Sequence, residues 1–348
     1  MGMIETPAKG PHAEFSKEKT AAWAAAQTAA QAEMLGNRLE KRFRHLRKWA
    51  RRIGAGAYRL YDRDIPEIPL VLDLYGDAES LAIAGALYRR PYEKEAAEES
   101  RWLAAMGEAI SRSLGIPAGS IFLKERGRQR GKAQYAKIRS RGKFMEVTEG
   151  NLRFRINLSD YLDTGLFLDQ RKTRALVREL SPGKRVLNLF CYTASFSVYA
   201  AAAGAQSVDS VDMSNTYLDW AKTNFALNNL EALPVSPEAL AGKAPLPRCR
   251  LIRGDALRFI ETAGSLRWDL IILDPPAFSN SKKMTGALDL KRDHRSILGR
   301  CLKLLSPAGR LIFSANAKGF ALNPADFPGI TTEDITEKIR DEDFAGKR

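Results

Sequence analysis

The sequence contains few cysteines, and none has the spacing of a disulfide framework or a zinc site. Three occur in 348 residues, Cys191, Cys249 and Cys301, without a CxxC pair among them. An odd and widely spaced set argues against structural disulfides and against a structural zinc site. We therefore expect a protein of the reducing cytoplasm that holds no metal ion.

Long apolar stretches and the common phosphate-binding loops are also missing. No apolar run reaches the length of a membrane span, and the N-terminus lacks the apolar region of a secretory signal. GxGxxG and GxxxxGK[ST] strings are both absent. The first absence argues against a site for a dinucleotide pyrophosphate, and the second excludes a P-loop. We expect no membrane partner.

Acidic residues are outnumbered, and the excess of positive charge is clustered. The net charge is +14, from 55 Lys and Arg against 41 Asp and Glu. Residues 38–52 hold eight cations against Glu40, and residues 124–143 hold nine against Glu125. A solvated surface is the ordinary interpretation of each run, but such one-sidedness favours contact with RNA phosphates. The second segment is also rich in glycine and carries an aromatic, which suits a single strand or an RNA loop. The candidate RNA contacts in these segments are Arg38, Arg42, Arg47, Lys48, Arg51, Arg128, Arg130, Lys132 and Tyr135.

The order of the predicted elements indicates two domains behind a basic helix. Residues 1–56 are predicted as a mobile arm followed by a helix over 20–52, where apolar residues recur at helical spacing. Residues 57–160 are predicted as a small α+β domain. Residues 161–348 alternate helices with five apolar strands, and the proline-rich residues 231–248 are predicted as a surface insertion. This alternation predicts an α/β fold, with a mostly parallel Rossmann-like sheet and helices on both faces.

Polar residues follow four of the predicted strands, where ligands bind in an open α/β sheet. Small residues after the first strand let a ligand approach the next helix N-terminus. An acid after the second can accept both ribose hydroxyls, and an acid after the third can accept an adenine amino group. Each acid alone is more often a helix cap, but together they describe an adenosyl ligand. These residues are Asn188, Asp212, Asp255 and Asp274.

The sharpest motif is the Asp-Pro-Pro string that ends the fourth strand. Pro275 and Pro276 stiffen the chain and fix the carbonyl groups at the strand tip, although a plain turn could use the same residues. An aromatic directly follows the prolines in amino-group methyltransferases, whereas here Phe278 comes one residue later. We expect Phe278 to stack on a target base, and we expect the residues after it to hold the base edge or its phosphate. Those residues are Asn280, Ser281 and Lys282.

Three strings resemble those of a known family: TGLFLDQR (164–171), NLFCYTASFSV (188–198) and DPPAFSNSK (274–282). They are similar to the C-terminal, guanine-N7-methylating half of the bifunctional bacterial 23S rRNA methyltransferases (RlmKL), over residues 34–344. The resemblance implies a class I methyltransferase with S-adenosylmethionine as cofactor and 23S rRNA or its precursor as partner. It also implies direct attack by a guanine N7 without a covalent enzyme intermediate. The reaction centre would then contain Asp274, Pro275, Pro276 and Phe278.

The resemblance implies a set of cofactor contacts as well. The segment near the methionine end of the cofactor matches Phe167, Asp169 and Arg171. The motif beneath the methionine matches Asn188, Phe190, Tyr192, Thr193 and Ser195. The ribose and adenine contacts match Asp212, Met213, Ser214, Asp255 and Ala256, with Asp274 at the transferring end.

The chain departs from the family pattern in two places. Ala194 stands where a glycine is common, which is expected to tighten that turn. Residues 330–339 are predicted as a sixth strand, and we expect the sheet to lack the further edge strand that the family places beside it.

Three alternatives stay open: an RNA cytosine-C5 methyltransferase, a guanine-N2 methyltransferase, and a non-catalytic RNA-binding assembly factor. Cytosine-C5 enzymes need a thiolate, which relatives carry in the string that here is FSANAKGF (313–320), without a cysteine. The full set of acids at the strand ends counts against a non-catalytic factor. A monomer is the expected oligomeric state.

Overall fold

The structure is a computed structural model of the chain. It describes residues 11–77, 79–90, 92, 94–125, 142–161, 163–280, 286–317 and 319–345. The predicted RNA contacts Arg128, Arg130, Lys132, Tyr135, Ser281 and Lys282 lie outside these residues.

A single long helix, α1, forms the N-terminal element and spans Pro11–Ile53. The sequence predicted a start at residue 20, but the helix begins earlier, at Pro11. A proline can occupy this position because it is tolerated in the first turn of a helix. The predicted apolar stripe is confirmed, since Leu35, Leu39 and Leu46 are fully buried. They pack against the first sheet and its helix.

That first sheet has four strands in the order β1-β2-β3-β4. Neighbouring strands are antiparallel except β3 and β4, which are parallel and joined through helix α2, Ala96–Leu114. Helices α1 and α2 share a core, in which the indole N–H of Trp102 donates to the buried Gln31 Oε1 at 2.6 Å. The strands are β1 Ala57–Asp62, β2 Leu70–Tyr75, β3 Ala82–Leu87 and β4 Ile121–Glu125.

A two-stranded hairpin, β5 Phe144–Glu149 and β6 Leu152–Asn157, follows this sheet. Its apolar face packs on the C-terminal half, where Phe154 stacks on Tyr199 with ring centroids 6.0 Å apart. The predicted limits at 56 and 160 stay a prediction. In the packing of the side chains, α1 joins the first sheet and the hairpin joins the C-terminal core.

The C-terminal half is a six-stranded parallel sheet with helices on both faces, which confirms the predicted Rossmann-like α/β class. The strand order is β14-β11-β7-β8-β10-β9, so the order reverses between β7 and β11. Successive residues of β7, Val186 and Leu187, are buried in cores on opposite faces, as expected of a sheet covered on both sides. The strands are β7 Arg185–Leu189, β8 Ser207–Asp212, β9 Ala232–Pro234, β10 Cys249–Arg253, β11 Trp268–Leu273 and β14 Leu305–Phe313. The helices are α3 Arg171–Leu180, α4 Ser195–Ala202, α5 Asn215–Ala226, α6 Ala256–Thr262 and α7 Leu290–Lys303.

Two local predictions were wrong. The segment 231–248 is not only a surface insertion, because β9 lies within it and extends the sheet beside β10, with Ala232 buried. Residues 330–339 form no strand; they are irregular and end in a turn. Strand β14 is therefore an edge of the sheet in the part of the chain that the structure describes.

Candidate active site

The loop after β7 has an unusual backbone. Phe190, Tyr192 and Ala194 have φ angles of 57°, 52° and 60°, a left-handed conformation that residues other than glycine seldom adopt. Ala194 is fully buried and precedes α4, so the glycine-like geometry is present although the glycine is not. Strained residues of this kind cluster at ligand sites, where surrounding contacts hold them in place.

Three contacts hold this loop from behind. The Thr193 hydroxyl donates to the carbonyl of Gly165 at 2.6 Å, and the Asn224 amide donates to the carbonyl of Thr193 at 2.9 Å. The Tyr192 N–H donates to the Asp212 carboxylate at 3.0 Å. Gly165 has a φ of 101°, and a Cβ there would lie 2.3 Å from the Trp220 ring, so only glycine fits.

Asp212 ends β8 beside this loop. Its Oδ2 accepts from the Tyr192 N–H and its Oδ1 accepts from the Ser214 N–H at 2.9 Å. Burial raises the pKa of this carboxyl to about 6, although neighbouring backbone N–H groups lower it. A carboxylate has about four acceptor sites, so Asp212 keeps capacity for further donors such as a pair of hydroxyls.

The ends of β8 and β10 bring the predicted adenine contacts to the same edge of the sheet. The Gly254 N–H donates to the Asp212 carbonyl at 3.0 Å. Asp255 caps α6 by accepting from the Leu257 N–H at 2.9 Å, and Ala256 is buried beside it. Met213 is half-buried, and Ser214 caps α5.

Asp274 ends β11 beside two polar residues, Gln170 and Ser314, that the sequence did not reveal. The Gln170 amide donates to the Ser314 Oγ at 3.0 Å, so the Ser314 hydroxyl is free to donate its proton to the Asp274 carboxylate. Burial raises the pKa of Asp274 to about 6, the Ser314 hydroxyl lowers it, and the Asp169 charge raises it further. Ser314 directly follows β14, in register with Asp274 after β11, which is the signal that could have identified it.

Phe167 and Asp169 lie near the ends of β7 and β11, because the Phe167 ring contacts Tyr192 and the Asp169 charge acts on Asp274. In an open α/β sheet, ligands bind in the crevice outside the carboxyl ends of the strands, and we call this region the cofactor cleft. Asp169 is accessible to solvent, and nearby protein raises the pKa of its carboxyl. The ring of Phe167 is 39% exposed and lies 5.4 Å from the ring of Tyr192. Tyr192 in turn meets Tyr217 edge to face at 4.5 Å.

Comparison with known proteins identifies the family of the chain. The sequence model of the family of S-adenosylmethionine-dependent methyltransferases matches residues 87–333 of the chain. The chain belongs to this methyltransferase family. The ribosomal RNA large subunit methyltransferase K of Neisseria meningitidis is 44% identical over 315 residues, which are 90% of this chain and 84% of that protein.

Longer relatives and a solved structure are also similar. The methyltransferase K/L of Chromohalobacter salexigens is 45% identical over 314 residues, 90% of this chain, and the chain spans 40% of its length. The crystal structure of the methyltransferase SMU.776 complexed with SAH superposes with a TM-score of 0.65 at 23% identity. That superposition covers 91% of this chain and 73% of that one. At this identity the match supports the fold alone.

The predicted cofactor, S-adenosylmethionine, is confirmed by the family, and the cleft fits it. Asp212 has acceptor capacity for ribose hydroxyls, and the strained loop leads into the N-terminus of α4, which no side chain caps. Two carboxyl groups, Asp169 and Asp274, have raised pKa values and lie near one another, which suits a ligand that carries positive charge. The individual contacts stay a prediction.

Three of the predicted cofactor residues point into the protein instead. The Asn188 amide donates to the buried Ser197 hydroxyl at 2.9 Å, and the Thr193 hydroxyl is bound to the Gly165 carbonyl. Arg171 is buried, with its guanidinium 2.9 Å from the Asp341 carboxylate and 3.1 Å from that of Asp343. Asn188 and Thr193 therefore shape the loop, whereas Arg171 joins the C-terminal segment to α3.

The predicted RNA contacts of α1 divide into two groups. Arg47, Lys48 and Arg51 are exposed. Arg38 is half-buried and paired with Asp64 at 2.8 Å, and the Arg42 Nε donates to the carbonyl of Leu60 at 3.2 Å, so these two also stabilise the fold. Lys41, Arg44 and Arg52 extend the exposed face.

Phe278 lies beyond Pro275 and Pro276 at the foot of a hairpin that the sequence did not predict. Strand β12, Phe278–Ser279, pairs antiparallel with β13, Leu288–Asp289. The Phe278 ring is 50% exposed and Asn280 is exposed after it. The ring is therefore accessible to a base, as the predicted stacking requires.

The three cysteines are buried and unpaired. Burial raises the pKa of the Cys301 thiol to about 12 and also raises the pKa values of Cys191 and Cys249. Among the described residues there is no cluster of His, Cys, Asp and Glu that could hold a metal ion. No helix within those residues is long and apolar enough to cross a membrane.

Proposed function

We propose that this methyltransferase modifies N7 of a guanine in 23S rRNA. The relatives are named for large-subunit ribosomal RNA, and the matched part would correspond to the C-terminal, N7-methylating half of the K/L proteins. Part of the same proposal is that the enzyme acts in the cytoplasm, as a monomer, on the rRNA or its precursor. The net charge of +14 and the exposed cations of α1 support an RNA substrate.

One observation favours a guanine acceptor over cytosine C5: the three cysteines are buried, so no thiol is available as a nucleophile. Cytosine-C5 transfer needs a thiolate, but burial raises the pKa values of all three cysteines. Guanine N7 has an exposed lone pair and no proton to lose, so its methylation needs alignment in a water-poor cleft rather than a base. Bound S-adenosylmethionine supplies a methyl group on a positively charged sulfur.

The residues around Asp274 have the properties that such alignment requires. Pro275 and Pro276 fix the chain, and the Ser314 hydroxyl lowers the pKa of the Asp274 carboxyl, which favours its charged form. Phe278 offers an exposed ring on which the extruded base could stack. Stacking of one base is worth about 1–3 kcal/mol, so removing the ring should lower kcat/KM about 5–150-fold.

The product identifies the acceptor atom. We expect RNA methylated by this enzyme to break at the modified position on borohydride–aniline treatment, which marks N7-methylguanosine and leaves N2-methylguanosine and 5-methylcytidine intact. Methylated RNA that resists this cleavage, or an enzyme adduct with 5-fluorocytidine RNA, would show that another atom is the acceptor. Mapping methylated rRNA from cells with and without the protein identifies the nucleotide, and an unchanged map would support the assembly factor.

A further inference from the structure

A chain of aromatic rings runs from the loop after β7 to the exposed face of the β5–β6 hairpin. The ring of Phe167 lies 5.4 Å from Tyr192, Tyr192 lies 6.4 Å from Trp220, and Trp220 lies 6.0 Å from Phe144. The two end rings are 39% and 42% exposed, whereas Trp220 is buried. Both ends of the chain therefore face solvent, and its middle is anchored in the protein.

Positive charge surrounds the Phe144 end. The Arg155 guanidinium lies 4.0 Å from the centroid of the Phe144 ring. Lys143, which precedes Phe144, and Arg153, two residues before Arg155 on β6, are both exposed. Glu146 contributes a carboxylate to this face of the hairpin. It lies opposite Arg155 in the strand register, and its Oε2 is 3.9 Å from the Arg153 Nη1. Three cations against one carboxylate make the face complementary to an anionic ligand.

Helix α5 holds this face rigidly. The Trp220 indole N–H donates to the Arg155 carbonyl at 2.7 Å, and Asn224 accepts from the Arg155 N–H at 2.9 Å. Asn228 accepts from the Arg153 N–H at 2.9 Å and donates to its carbonyl at 2.8 Å. The open edge of β6 is thus bound by two side chains of α5 and by Asn228 just after it, so the backbone that carries Arg155 is already ordered before binding.

We propose that Phe144 and Arg155, continued by Phe167, bind single-stranded RNA beside the target nucleotide by stacking on its bases. The inference rests on the proposed RNA substrate and deepens it. Aromatic rings and arginine planes stack on any base, and cations along the same face attract the phosphates. Because the buried Trp220 links Phe144 to the rings of the cofactor loop, the hairpin face and that loop are neighbours, and the proposal places the target nucleotide between them.

The test is binding of a guanine-containing RNA oligonucleotide, measured by fluorescence anisotropy. Stacking of one base is worth about 1–3 kcal/mol, so Phe144→Ala should weaken the Kd about 5–150-fold. Phe144→Tyr keeps a ring and should bind like the wild type. S-adenosylmethionine affinity and the melting temperature, measured on the same variants, should change little because Phe144 is 42% exposed.

An abasic scan separates stacking from charge, since an abasic nucleotide keeps its phosphate and loses its base. At one flanking position the abasic RNA should bind the wild type weakly, and Phe144→Ala should show no such penalty. Leu233→Ala, a similarly exposed apolar residue on edge strand β9, is the matched control. Equal penalties in wild type and Phe144→Ala at every position would overturn this inference alone, whereas a wild type that binds no RNA would overturn the proposed function.

Discussion

Glu149, at the end of β5, joins the hairpin to α3, and its replacement by glutamine should destabilise the fold strongly. Its two oxygens accept from Arg174 Nε at 2.6 Å and Nη2 at 2.7 Å, and both residues are buried. Tyr199 also donates to Glu149, at 3.0 Å. A glutamine at 149 would turn an NH2 group toward guanidinium donors and leave the Arg174 charge without its carboxylate. Arg171 keeps Asp341 and Asp343, so the loss comes mainly from Arg174.

Removing one partner of a buried ion pair costs about 3–5 kcal/mol. With an unfolding entropy of about 2.1 cal/mol/K per residue, 348 residues that unfold together would melt about 4–7 °C lower. Thermal and urea denaturation of Glu149→Gln measure this. The matched control is Glu261→Gln, which breaks the exposed pair with Arg300 and should lose less than about 1 kcal/mol. A Glu149→Gln protein as stable as this control would refute the reasoning.

Three further predictions concern binding and chemistry. S-adenosylmethionine should bind more weakly as the pH falls from 7 to 5, because Asp212 and Asp274 have pKa values of about 6 and lose their charge over that range. Asp212→Asn should bind the cofactor weakly at pH 7, with a smaller dependence on pH. Calorimetry of the wild type that shows equal affinity at pH 7 and pH 5 contradicts this prediction. Neutralising Arg47, Lys48 and Arg51 should lower the slope of log Kd against log salt concentration for RNA binding by about 3, one for each phosphate contact. The control, Lys338→Gln, removes an exposed cation of the C-terminal segment and should leave the slope unchanged. If the triple variant also keeps the wild-type slope, the exposed face of α1 is only solvated and does not contact RNA. Serine at each of the three buried cysteines should leave turnover in place apart from any packing loss, and abolished methyl transfer in a folded variant would argue for a thiol intermediate.

The sequence predicted most of the C-terminal sheet because parallel strands buried on both faces are continuous apolar runs. The five predicted strands are present, and their order brings Asp212, Asp255 and Asp274 to one edge. Strand β9 has only three residues and contains Pro234, so neither its length nor its composition distinguishes it from a loop. The segment 330–339 shows the opposite error, since isoleucines and threonines suggested a strand there but no neighbour pairs with it.

The sequence predicted which segments lie near the cofactor better than it predicted where their side chains point. Arg171 stands two residues after Asp169, and both were predicted to reach the cofactor. Because Arg171 begins α3, its side chain turns into a buried group of carboxylates contributed by residues 341 and 343. A contact between residues 170 positions apart carries no local signal in a sequence, and the Gln170–Ser314 bond, 144 positions apart, was missed for the same reason.

The contacts around Asn224 explain how the protein tolerates the strained loop after β7. Left-handed residues other than glycine cost about 1–3 kcal/mol each, and this loop contains three of them. Asn224 is fully buried and uses both ends of its amide, accepting from the Arg155 N–H of the hairpin and donating to the Thr193 carbonyl of the loop. The hairpin, α5 and the loop therefore form one hydrogen-bonded unit. The loop cannot relax without breaking bonds that also hold the hairpin, so the backbone around the cofactor cleft is fixed before any ligand binds.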